Sequence, residues 1–406
     1  MTTASYDIVI AGGGMVGACL ACALGNSSLR VAMIEAKPPA DLRPEDEVDL
    51  RVSAFTHASQ RIFAALGAWQ GMVERRVSPF REMRVWDATG PGAIHFDSAE
   101  LAMDTLGWII ENRAVQVALW DRLRAFDNVE VIGGVTVSAL AVDADVASVG
   151  LSDGRMITAK LVAAADGANS QVRTLANIGT YGWSYEQKAV VATVQTELPH
   201  RETAWQRFLP GGPLAFLPLK DGRCSIVWST APDHADELVA LEEGDFLAQL
   251  QRAFGDVLGR MEHAGPRLAL PLRLQHVTAY VKPRLALMGD AAHAIHPLAG
   301  QGVNLGLLDA ATLAEVLLDA RASKRDIGAY HVLRRYERWR KGDNLTMMAA
   351  MDGFKRLFGS RVPPVRWVRN LGLGLTDSMP WVKRFIMLYA MGLEGDLPRL
   401  ARGMGF

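Results

Sequence analysis

Three glycine-containing segments of the chain carry residue types that suit a bound cofactor. The first, residues 12–17, fits the spacing Gly-x-Gly-x-x-Gly, and Val16 precedes its last glycine. In such a pattern Gly12 permits a tight turn, Gly14 lets a pyrophosphate approach the backbone, and Gly17 lets a helix pack closely on a strand. The amide groups at the start of the following helix then face the phosphates. The spacing predicts a site for an adenine dinucleotide and leaves open which one.

An acidic residue supports this interpretation of the glycine segment. Glu35 ends the next apolar run, about 20 residues beyond the glycines, where a carboxylate accepts hydrogen bonds from a ribose hydroxyl. An ordinary turn beside a surface carboxylate is the alternative. The apolar runs on both sides of the glycines favour the dinucleotide site, because the fingerprint requires a strand before it and a helix after it.

The second and third segments, Asp166-Gly167 and Gly289-Asp290, each follow an apolar run directly. Glycine brings the backbone close to a ligand, and Asp290 offers a carboxylate to sugar-like hydroxyls. Further along, Gly300-Gln301-Gly302 opens a helix whose amide groups are placed to stabilise negative charge on a cofactor ring. Without a ligand, Asp166-Gly167 is a turn and Ser170 caps the next helix.

The apolar runs predict the elements that position these segments. Residues 7–11 and 30–35 are short β-branched runs that flank a predicted helix, Met15 to Leu24, which makes a βαβ unit. Residues 160–165 and 284–288 are of the same buried type, so we expect them to join the same parallel sheet.

The texture of the sequence changes in the middle of the chain. Between residues 181 and 273 strands alternate with turns such as Pro210-Gly211-Gly212, and residues 80–96 have a similar character. We therefore predict an α/β fold with an α+β insert. It comprises a Rossmann-like dinucleotide-binding domain with a parallel sheet, an inserted antiparallel-sheet domain and C-terminal helices. The expected boundaries are residues 1–75, 97–180 and 274–345 for the first, 76–96 and 181–273 for the second, and 346–406 for the third.

Composition limits the location and the partners of the protein. Its 43 basic and 44 acidic residues give a net charge of −1, so nothing global favours nucleic acid. Three cysteines are too few for a disulfide framework and suit a reducing compartment. Cys19 and Cys22 lie in the first predicted helix, where packing is the simpler role. No apolar run is long enough to span a membrane. We expect a cytoplasmic protein with at most peripheral contact with the inner face of a membrane.

In this order the three segments resemble the para-hydroxybenzoate-hydroxylase class of flavin monooxygenases. They are most similar to the flavin hydroxylases of ubiquinone biosynthesis. The resemblance covers most of the chain and extends to Asp49-x-Arg51, to Glu111-Asn112-Arg113-x-x-Gln116 and to the long glycine loop. It implies FAD as the cofactor, with the Asp-Gly motif associated with FAD and NAD(P)H and the Gly-Asp carboxylate with the ribityl chain. The Rossmann-like domain is then the FAD-binding domain, and the inserted antiparallel sheet is the substrate domain.

The resemblance also implies which residues line the cofactor. It places Arg51, Arg113 and Gln116 there, although their types equally suit surface ion pairs and helix faces. The expected cofactor-binding residues are Gly12, Gly14, Val16, Gly17, Glu35, Arg51, Arg113, Gln116, Asp166, Gly167, Gly289, Asp290, Pro297, Gly300, Gly302 and Asn304.

No side chain is assigned a catalytic role, because the flavin carries the reaction in this class. The candidates for the substrate pocket are Pro297, Phe216 and Arg207, and Phe208 and Leu217 offer further apolar surface; core and turn packing is the alternative for the strand residues. We expect no metal site, because His293-x-x-His296 lies on a turn without a third ligand at recognisable spacing.

The implied reaction is hydroxylation of the aromatic ring of a prenylated phenol or quinol in ubiquinone biosynthesis, through a flavin hydroperoxide. It consumes O2 and a reductant, either NAD(P)H or a protein electron carrier, and other ubiquinone-biosynthesis proteins are candidate partners. An FAD-dependent isoprenoid or quinone reductase of the same fold is one alternative function. A non-catalytic flavoprotein subunit is another.

The C-terminal segment mixes cations with aromatic residues, as interfacial helices do. The residues concerned are Arg366, Trp367, Arg369, Trp381, Lys383, Arg384, Phe385 and Ile386. This pattern predicts peripheral contact with a membrane or a partner assembly. The alternative is a helix that packs on the cofactor domain and exposes only its basic face.

Overall fold

In the computed structural model, residues 4–43, 45–294, 302–359, 376–377 and 379–406 are described, with backbone alone at 350, 351 and 354–359. Within these ranges the α-helices are α1 (Met15–Ala23), α2 (His57–Ala65), α3 (Trp69–Arg75), α4 (Asn112–Leu123), α5 (Gln171–Leu175), α6 (Pro232–Ala240), α7 (Glu243–Phe254), α8 (Gly302–Ala322), α9 (Tyr330–Gly359) and α10 (Pro380–Ala390). Short 3-10 helices cover Ser98–Leu101, Gly289–Ala291 and Arg399–Arg402.

The strands of the first half of the chain are β1 (Ala4–Ala11), β2 (Val31–Glu35), β3 (Val52–Phe55), β4 (Val77–Phe80), β5 (Glu82–Asp87), β6 (Ala93–Asp97), β7 (Gly107–Glu111), β8 (Val129–Gly133), β9 (Val137–Val142), β10 (Ala147–Leu151) and β11 (Met156–Ala164). Those of the second half are β12 (Thr180–Thr196), β13 (Thr203–Leu209), β14 (Gly212–Pro218), β15 (Cys224–Thr230), β16 (Met261–Val277), β17 (Val281–Lys282), β18 (Leu285–Leu287) and β19 (His293–Ala294).

The first sheet holds the apolar runs that the sequence predicted to be buried. Its order is β17-β18-β11-β1-β2-β8, with β9 and β10 extending it beside β11. The pairs β1–β2, β1–β11, β11–β18 and β2–β8 are all parallel. Ile8, Val9 and Ile10 of the central strand are fully buried, because helices cover both faces of such a sheet. The predicted α/β class and parallel sheet are confirmed.

The second sheet is larger and mostly antiparallel. Its order is β19-β16-β12-β15-β14-β13-β5-β6, and β13–β5 is its parallel pair. Side chains of successive residues alternate between its two faces. One face packs against α6 and α7 around Phe216, Phe246 and Phe254. The other face carries Leu217 and Leu219, which pack against Ala54 of β3, so this face is turned towards the cofactor unit.

A third, three-stranded sheet in the order β3-β7-β4 joins segments that the expected boundaries separate. Residues 76–96 were assigned to the substrate domain, and β5 and β6 do join the second sheet. Strand β4, however, pairs with β7, which lies in the expected cofactor domain. The boundary therefore runs through the turn between β4 and β5 rather than before residue 76.

The two cysteines of the first helix pack in the core. Cys19 and Cys22 are buried in α1, and Cys22 Sγ donates a hydrogen bond to the Leu119 carbonyl over 3.4 Å. Burial raises the pKa of the Cys22 thiol to about 12. The pair is therefore held as neutral thiols that fill space between helices, as the sequence suggested.

Candidate functional site

At two positions of the first segment the protein backbone leaves no room for a side chain, whether or not a ligand is bound. Gly12 has φ +98°, and a Cβ atom there would lie 2.5 Å from the Ala165 carbonyl oxygen. A Cβ atom at Gly17 would lie 1.9 Å from the Gly12 carbonyl oxygen. Both distances are far below van der Waals contact, so β1, α1 and the end of β11 approach closely only because these side chains are absent.

The middle glycine faces open space instead. A Cβ atom at Gly14 would meet no atom of the described residues within 4 Å. Gly14 is also the N-cap of α1, where no side chain caps the helix. The first-turn amide groups are thus available to an external acceptor, and the helix dipole favours a negatively charged one. This is the place where a pyrophosphate would approach, as the spacing predicted.

Glu35 and Gln116 hold the backbone of this turn from two sides. Glu35 Oε2 accepts a hydrogen bond from the Gly13 amide over 2.6 Å. Gln116 Nε2 donates to the Gly13 carbonyl over 3.1 Å, and Trp120 Nε1 donates to the same oxygen over 2.8 Å. Trp120 was missed in the sequence, although it lies one turn after Gln116 on α4 and therefore on the same helix face.

The Asp166-Gly167 segment is at once a helix cap and a free acceptor. Asp166 Oδ2 accepts from the Val172 amide over 3.1 Å, and Ser170 caps α5 by accepting from the Arg173 amide. Asp166 Oδ1 is buried and, among the described residues, finds no hydrogen-bond donor. Gly167 has φ +81°, and its Cβ position is open. A buried acceptor beside an open glycine fits a ligand that donates a hydrogen bond.

Asp290 follows β18 at the carboxyl end of the parallel strands of the first sheet. Its side chain is solvent-exposed, yet desolvation by surrounding protein raises the pKa of this carboxyl group. His293, Arg51 and Arg273 act in the opposite direction and lower the same pKa. An accessible carboxylate at this edge of the sheet is placed to accept hydrogen bonds from a chain of hydroxyl groups. The structure also brings Arg51 close enough to Asp290 to act on its charge.

The segment Asp49-x-Arg51 and the segment that begins at Glu111 contact each other. Glu111 Oε2 accepts from the Asp49 amide over 2.8 Å, and the Asn112 amide donates to the Arg51 carbonyl over 2.9 Å. Strand β3 is thereby joined to the start of α4. Arg113 extends from that start and pairs with Asp46 over 3.4 Å, which is the surface ion pair considered as its alternative role.

Asn304 ties the first turn of α8 to the region after β3. Its Oδ1 accepts from the Thr56 amide over 3.1 Å and from Ser59 Oγ over 2.7 Å, and its Nδ2 donates to the Ala54 carbonyl. The side chain of this buried residue is thus engaged in holding the protein's own backbone. Gly302 begins α8. Pro297 and Gly300 lie outside the described residues.

A buried polar cluster that the sequence analysis missed supports the Gly-Asp segment from behind. Asp309 of α8 is completely buried and accepts four hydrogen bonds. They come from the Gly289 amide (3.1 Å), His293 Nε2 (2.5 Å), Arg340 Nε (2.8 Å) and Asn344 Nδ2 (3.1 Å). Burial alone would raise the pKa of Asp309, but His293 and Arg340 lower it to about 2. The carboxylate is ionised and fixes Gly289 in place.

The sequence did contain a signal for this cluster. Asp309 interrupts the apolar run that makes up α8, and a carboxylate in a buried helix must be paired. Its partner Arg340 is also buried, on α9. The His293 ring faces Asp309. His296 lies outside the described residues.

Two of the expected pocket residues do not reach the cofactor-facing surface. Phe216 packs against Phe254 of α7, with ring centroids 3.9 Å apart, on the opposite face of the second sheet from Leu217. Arg207 lies on that same outer face and donates to the Ala253 carbonyl over 3.0 Å. The expectation is corrected for both residues, because strand alternation places neighbours on opposite faces and helices α6 and α7 cover this one. Phe208 lies on the face shared with Leu217 and packs with Val85.

The described residues fit FAD. An uncapped helix end at Gly14 suits a pyrophosphate, the orphaned Asp166 oxygen suits a donor, and the Asp290 carboxylate suits a chain of hydroxyl groups. These features lie at the ends of β1, β11 and β18, which are adjacent and parallel in the first sheet. Ligands of open α/β sheets bind at the carboxyl ends of the strands.

We expect Asp290→Ala to weaken FAD retention by about 10- to 150-fold, because a charge-assisted hydrogen bond contributes about 1.5–3 kcal/mol. The measurement is a titration of apoprotein with FAD, followed by flavin fluorescence. Asp127→Ala, an exposed aspartate on the turn after α4, is the control and should bind FAD normally. Full FAD affinity in the Asp290 variant would remove this residue from the site.

Comparison with known proteins agrees with the geometry. A profile of the FAD binding domain family matches residues 5–342. The 3-demethoxyubiquinol 3-hydroxylase of Escherichia coli (strain K12) is 40% identical over 393 residues, which cover 97% of this chain and 100% of the relative. Ubiquinone hydroxylase UbiL of Rhodospirillum rubrum is 41% identical over 401 residues, which cover 98% and 93%.

A solved structure supports the fold alone. The p-nitrophenol 4-monooxygenase PnpA from Pseudomonas putida DLL-E4 superposes with a TM-score of 0.78 at 22% identity, covering 96% of this chain and 99% of that one. At the sequence level the similarity to the two hydroxylases extends over nearly the whole chain. The chain therefore belongs to the FAD binding domain family and, within it, to the FAD-dependent hydroxylases of ubiquinone biosynthesis, so that its cofactor is FAD and its chemistry is that of a monooxygenase.

Proposed function

We propose that this protein hydroxylates the aromatic ring of a prenylated phenol or quinol precursor of ubiquinone, at the expense of O2 and a reductant. The observation that carries the proposal is the apolar surface beside the cofactor site. Leu217 and Leu219 of the second sheet pack towards Ala54 of β3, whose carbonyl is bound by Asn304 at the start of α8. A ring between the sheet and the cofactor would meet hydrocarbon on the side away from the flavin.

The bound FAD supplies the oxygen activation and transfer, and the chain supplies position and exclusion of water. Asp309 fixes Gly289, and Glu35 fixes Gly13, so the backbone that receives the cofactor is held before it binds. The apolar residues of the second sheet keep water from the reacting ring. A second Gly-x-Gly-x-x-Gly is absent from the sequence. We propose that NAD(P)H binds transiently or that a protein electron carrier takes its place.

Turnover under ¹⁸O-labelled dioxygen tests the reaction directly. The FAD-loaded protein is supplied with a prenylated phenol and either NAD(P)H or a chemical reductant, and the product is examined by mass spectrometry. We expect one labelled oxygen in the new ring hydroxyl. Product formed without oxygen would indicate the reductase alternative. Lack of substrate-dependent oxygen uptake with any reductant would favour the non-catalytic subunit.

We further propose peripheral contact with a lipid surface through α10. A surface helix usually buries its apolar residues and exposes its charged ones, and α10 does the opposite. Lys383 is only 6% exposed, while Trp381 and Phe385 are 73% and 62% exposed. Tyr389 continues the same outward face, and its ring stacks on Phe385. The alternative in which the helix exposes only its basic face is wrong for α10. Arg366, Trp367 and Arg369 lie outside the described residues.

The polarity of α10 leads to a specific test with liposomes. We expect the combined variant Trp381→Ser, Phe385→Ser and Tyr389→Ser to lose flotation with vesicles, because amphipathic aromatics contribute the buried area in interfacial binding. Substitution of three exposed residues elsewhere, Val142→Ser, Met156→Ser and Leu198→Ser, is the matched control. Equal flotation of both variants and the wild type would dismiss α10 as the lipid-contact face. Among the helices in the described ranges, none is long and apolar enough to cross a membrane.

A further inference from the structure

An apolar cavity of about 120 Å³ lies beneath α10. All of its lining residues except Thr56 are hydrophobic: Ala54, Phe55, Phe80, Met83, Phe96, Leu106, Ile386, Met387, Ala390 and Met391. Met83 and Phe96 are direct cross-strand neighbours in β5 and β6, so they form one wall together. Met387 and Met391 form the opposite wall. Such a lining offers no partner to a polar ligand and favours hydrocarbon.

One end of the cavity lies beside the start of α8. Ala54 and Thr56 line it, and Asn304 at the start of α8 binds the backbone of both residues. Phe80 lies between the cavity and the second sheet, because its side chain packs against the cluster of Leu219 and against the cluster of Met387. Apolar side chains thus extend from the cofactor-facing side of the second sheet to the underside of α10.

The buried Lys383 holds α10 in place as the outer wall through ion pairs with two half-exposed carboxylates. Lys383 Nζ donates to Glu100 Oε1 over 2.6 Å and lies 3.4 Å from Asp377 Oδ1. On the next turn Met387 is 3% exposed and faces the cavity. The helix therefore keeps a charged contact inside a largely apolar interface and turns its aromatic residues outward. The helix thus has an apolar face towards the cavity and an aromatic face towards the outside, and this arrangement suits a ligand that arrives from a lipid phase.

We propose that this cavity receives the isoprenoid tail of the substrate, with Met387 and Met391 of α10 and Leu106 as the residues that recognise it. The ring then lies between the second sheet and the cofactor, and the tail leads past Phe80 to the underside of α10. The inference rests on the proposed function, since it assigns a place to the tail of that substrate. Methionine side chains suit this role because they adapt to flexible chains.

The test uses the FAD-loaded full-length protein and three phenols that differ only in carrying no, one or two prenyl units. Binding is followed by the change in flavin absorbance. In the wild type we expect the two-unit compound to bind at least about tenfold more tightly than the phenol without a tail, because each buried CH2 group adds affinity. Met387→Trp fills the cavity and should abolish most of that gain, while the affinity for the phenol without a tail stays unchanged.

Met404→Trp is the matched control, because the same substitution is made at a side chain that is 45% exposed near the C terminus. Leu106→Phe narrows the cavity from another element and serves if Met387→Trp does not retain FAD. If either variant retains FAD and keeps the full gain from the prenyl units, the cavity does not hold the tail. Displacement of the two-unit phenol by an equal concentration of palmitate would indicate a general acyl-chain site and would also overturn the assignment.

Binding of the three phenols to the wild type distinguishes failure of the proposed function from failure of the tail site. If none of the phenols changes the flavin spectrum, the proposed function fails, and the tail site fails with it. If all three bind with equal affinity, the ring site stands and the tail site alone is wrong.

Discussion

Asp309→Asn is expected to destabilise the protein by about 3–5 kcal/mol and to weaken FAD binding at least about tenfold. The substitution removes the buried carboxylate opposite Arg340, whose side chain is 2% exposed, and leaves this guanidinium with the half-exposed Asp343 as its counter-charge; breaking a buried ion pair has a cost of this size. It also weakens the acceptor that holds the Gly289 amide. Urea unfolding of the apoprotein measures the first effect, and an FAD titration measures the second.

The control for this prediction is Asp343→Asn, which removes a second carboxylate that pairs with Arg340 but lies at the surface. Asp343 Oδ2 accepts from Arg340 over 3.1 Å, but half of the Asp343 side chain is exposed. We expect a loss below about 1 kcal/mol and no change in FAD affinity. If both variants lost the same amount of stability and of FAD affinity, the buried cluster would have no special part in the cofactor site. Since the pKa of Asp309 is lowered to about 2, its stabilising contribution is complete above the unfolded value of about 4 and is lost as the pH falls towards 2.

The second large effect is expected at the glycines of the first segment, where two substitutions should behave differently. Gly17→Ala should destabilise the apoprotein by about 3 kcal/mol, because its methyl group would lie 1.9 Å from the Gly12 carbonyl oxygen. Gly14→Ala should change apoprotein stability by less than about 1 kcal/mol, since φ is −64° there and no atom of the described residues obstructs a Cβ atom.

In FAD binding we expect a clear defect in the Gly14 variant, which is the variant with the smaller loss of apoprotein stability. A methyl group at Gly14 projects to where the pyrophosphate approaches, so we expect FAD affinity to fall at least about tenfold, or 1.4 kcal/mol. Thermal unfolding with and without FAD separates the effects: the Gly14 variant should melt like the wild type without FAD and gain much less from FAD. A full gain in melting temperature on FAD addition would show that the pyrophosphate lies elsewhere.

The parts of the site that the sequence predicted are those governed by local geometry. Gly12 and Gly17 could be identified because a tight turn and a close helix–strand contact require glycine at fixed spacing. The apolar strands β1, β2 and β11 were recognisable because a parallel sheet buries both faces of each strand. Arg51 was named as a cofactor-lining residue only through the resemblance, and its proximity to Asp290 was not predicted, because no local rule links residues so far apart in the chain.

The parts that were missed depend on which face or which partner tertiary packing selects. Alternation shows that Phe216 and Leu217 point to opposite sides of a strand, but not that α7 covers the side of Phe216. The composition of α10 shows aromatic and basic residues, but not that Lys383 is the buried one. Asp309 and Arg340 lie on different helices, so their pairing follows from how α8 packs on α9.

The order of strands in the first sheet has a consequence for how the chain matures. Strand β1 pairs with β11, and β11 pairs with β18, so the register joins Ile8 to Leu161 and Val162 to Leu285. During synthesis β1 gains its neighbour β11 only once residue 164 has been made, and β11 gains its neighbour β18 only after residue 287. Pairing over such separations is slow, and an unpaired parallel strand is prone to aggregation. We therefore expect nascent chains that end before β18 to be unable to bind FAD, so that the cofactor enters late and chaperones protect the half-built sheet until then.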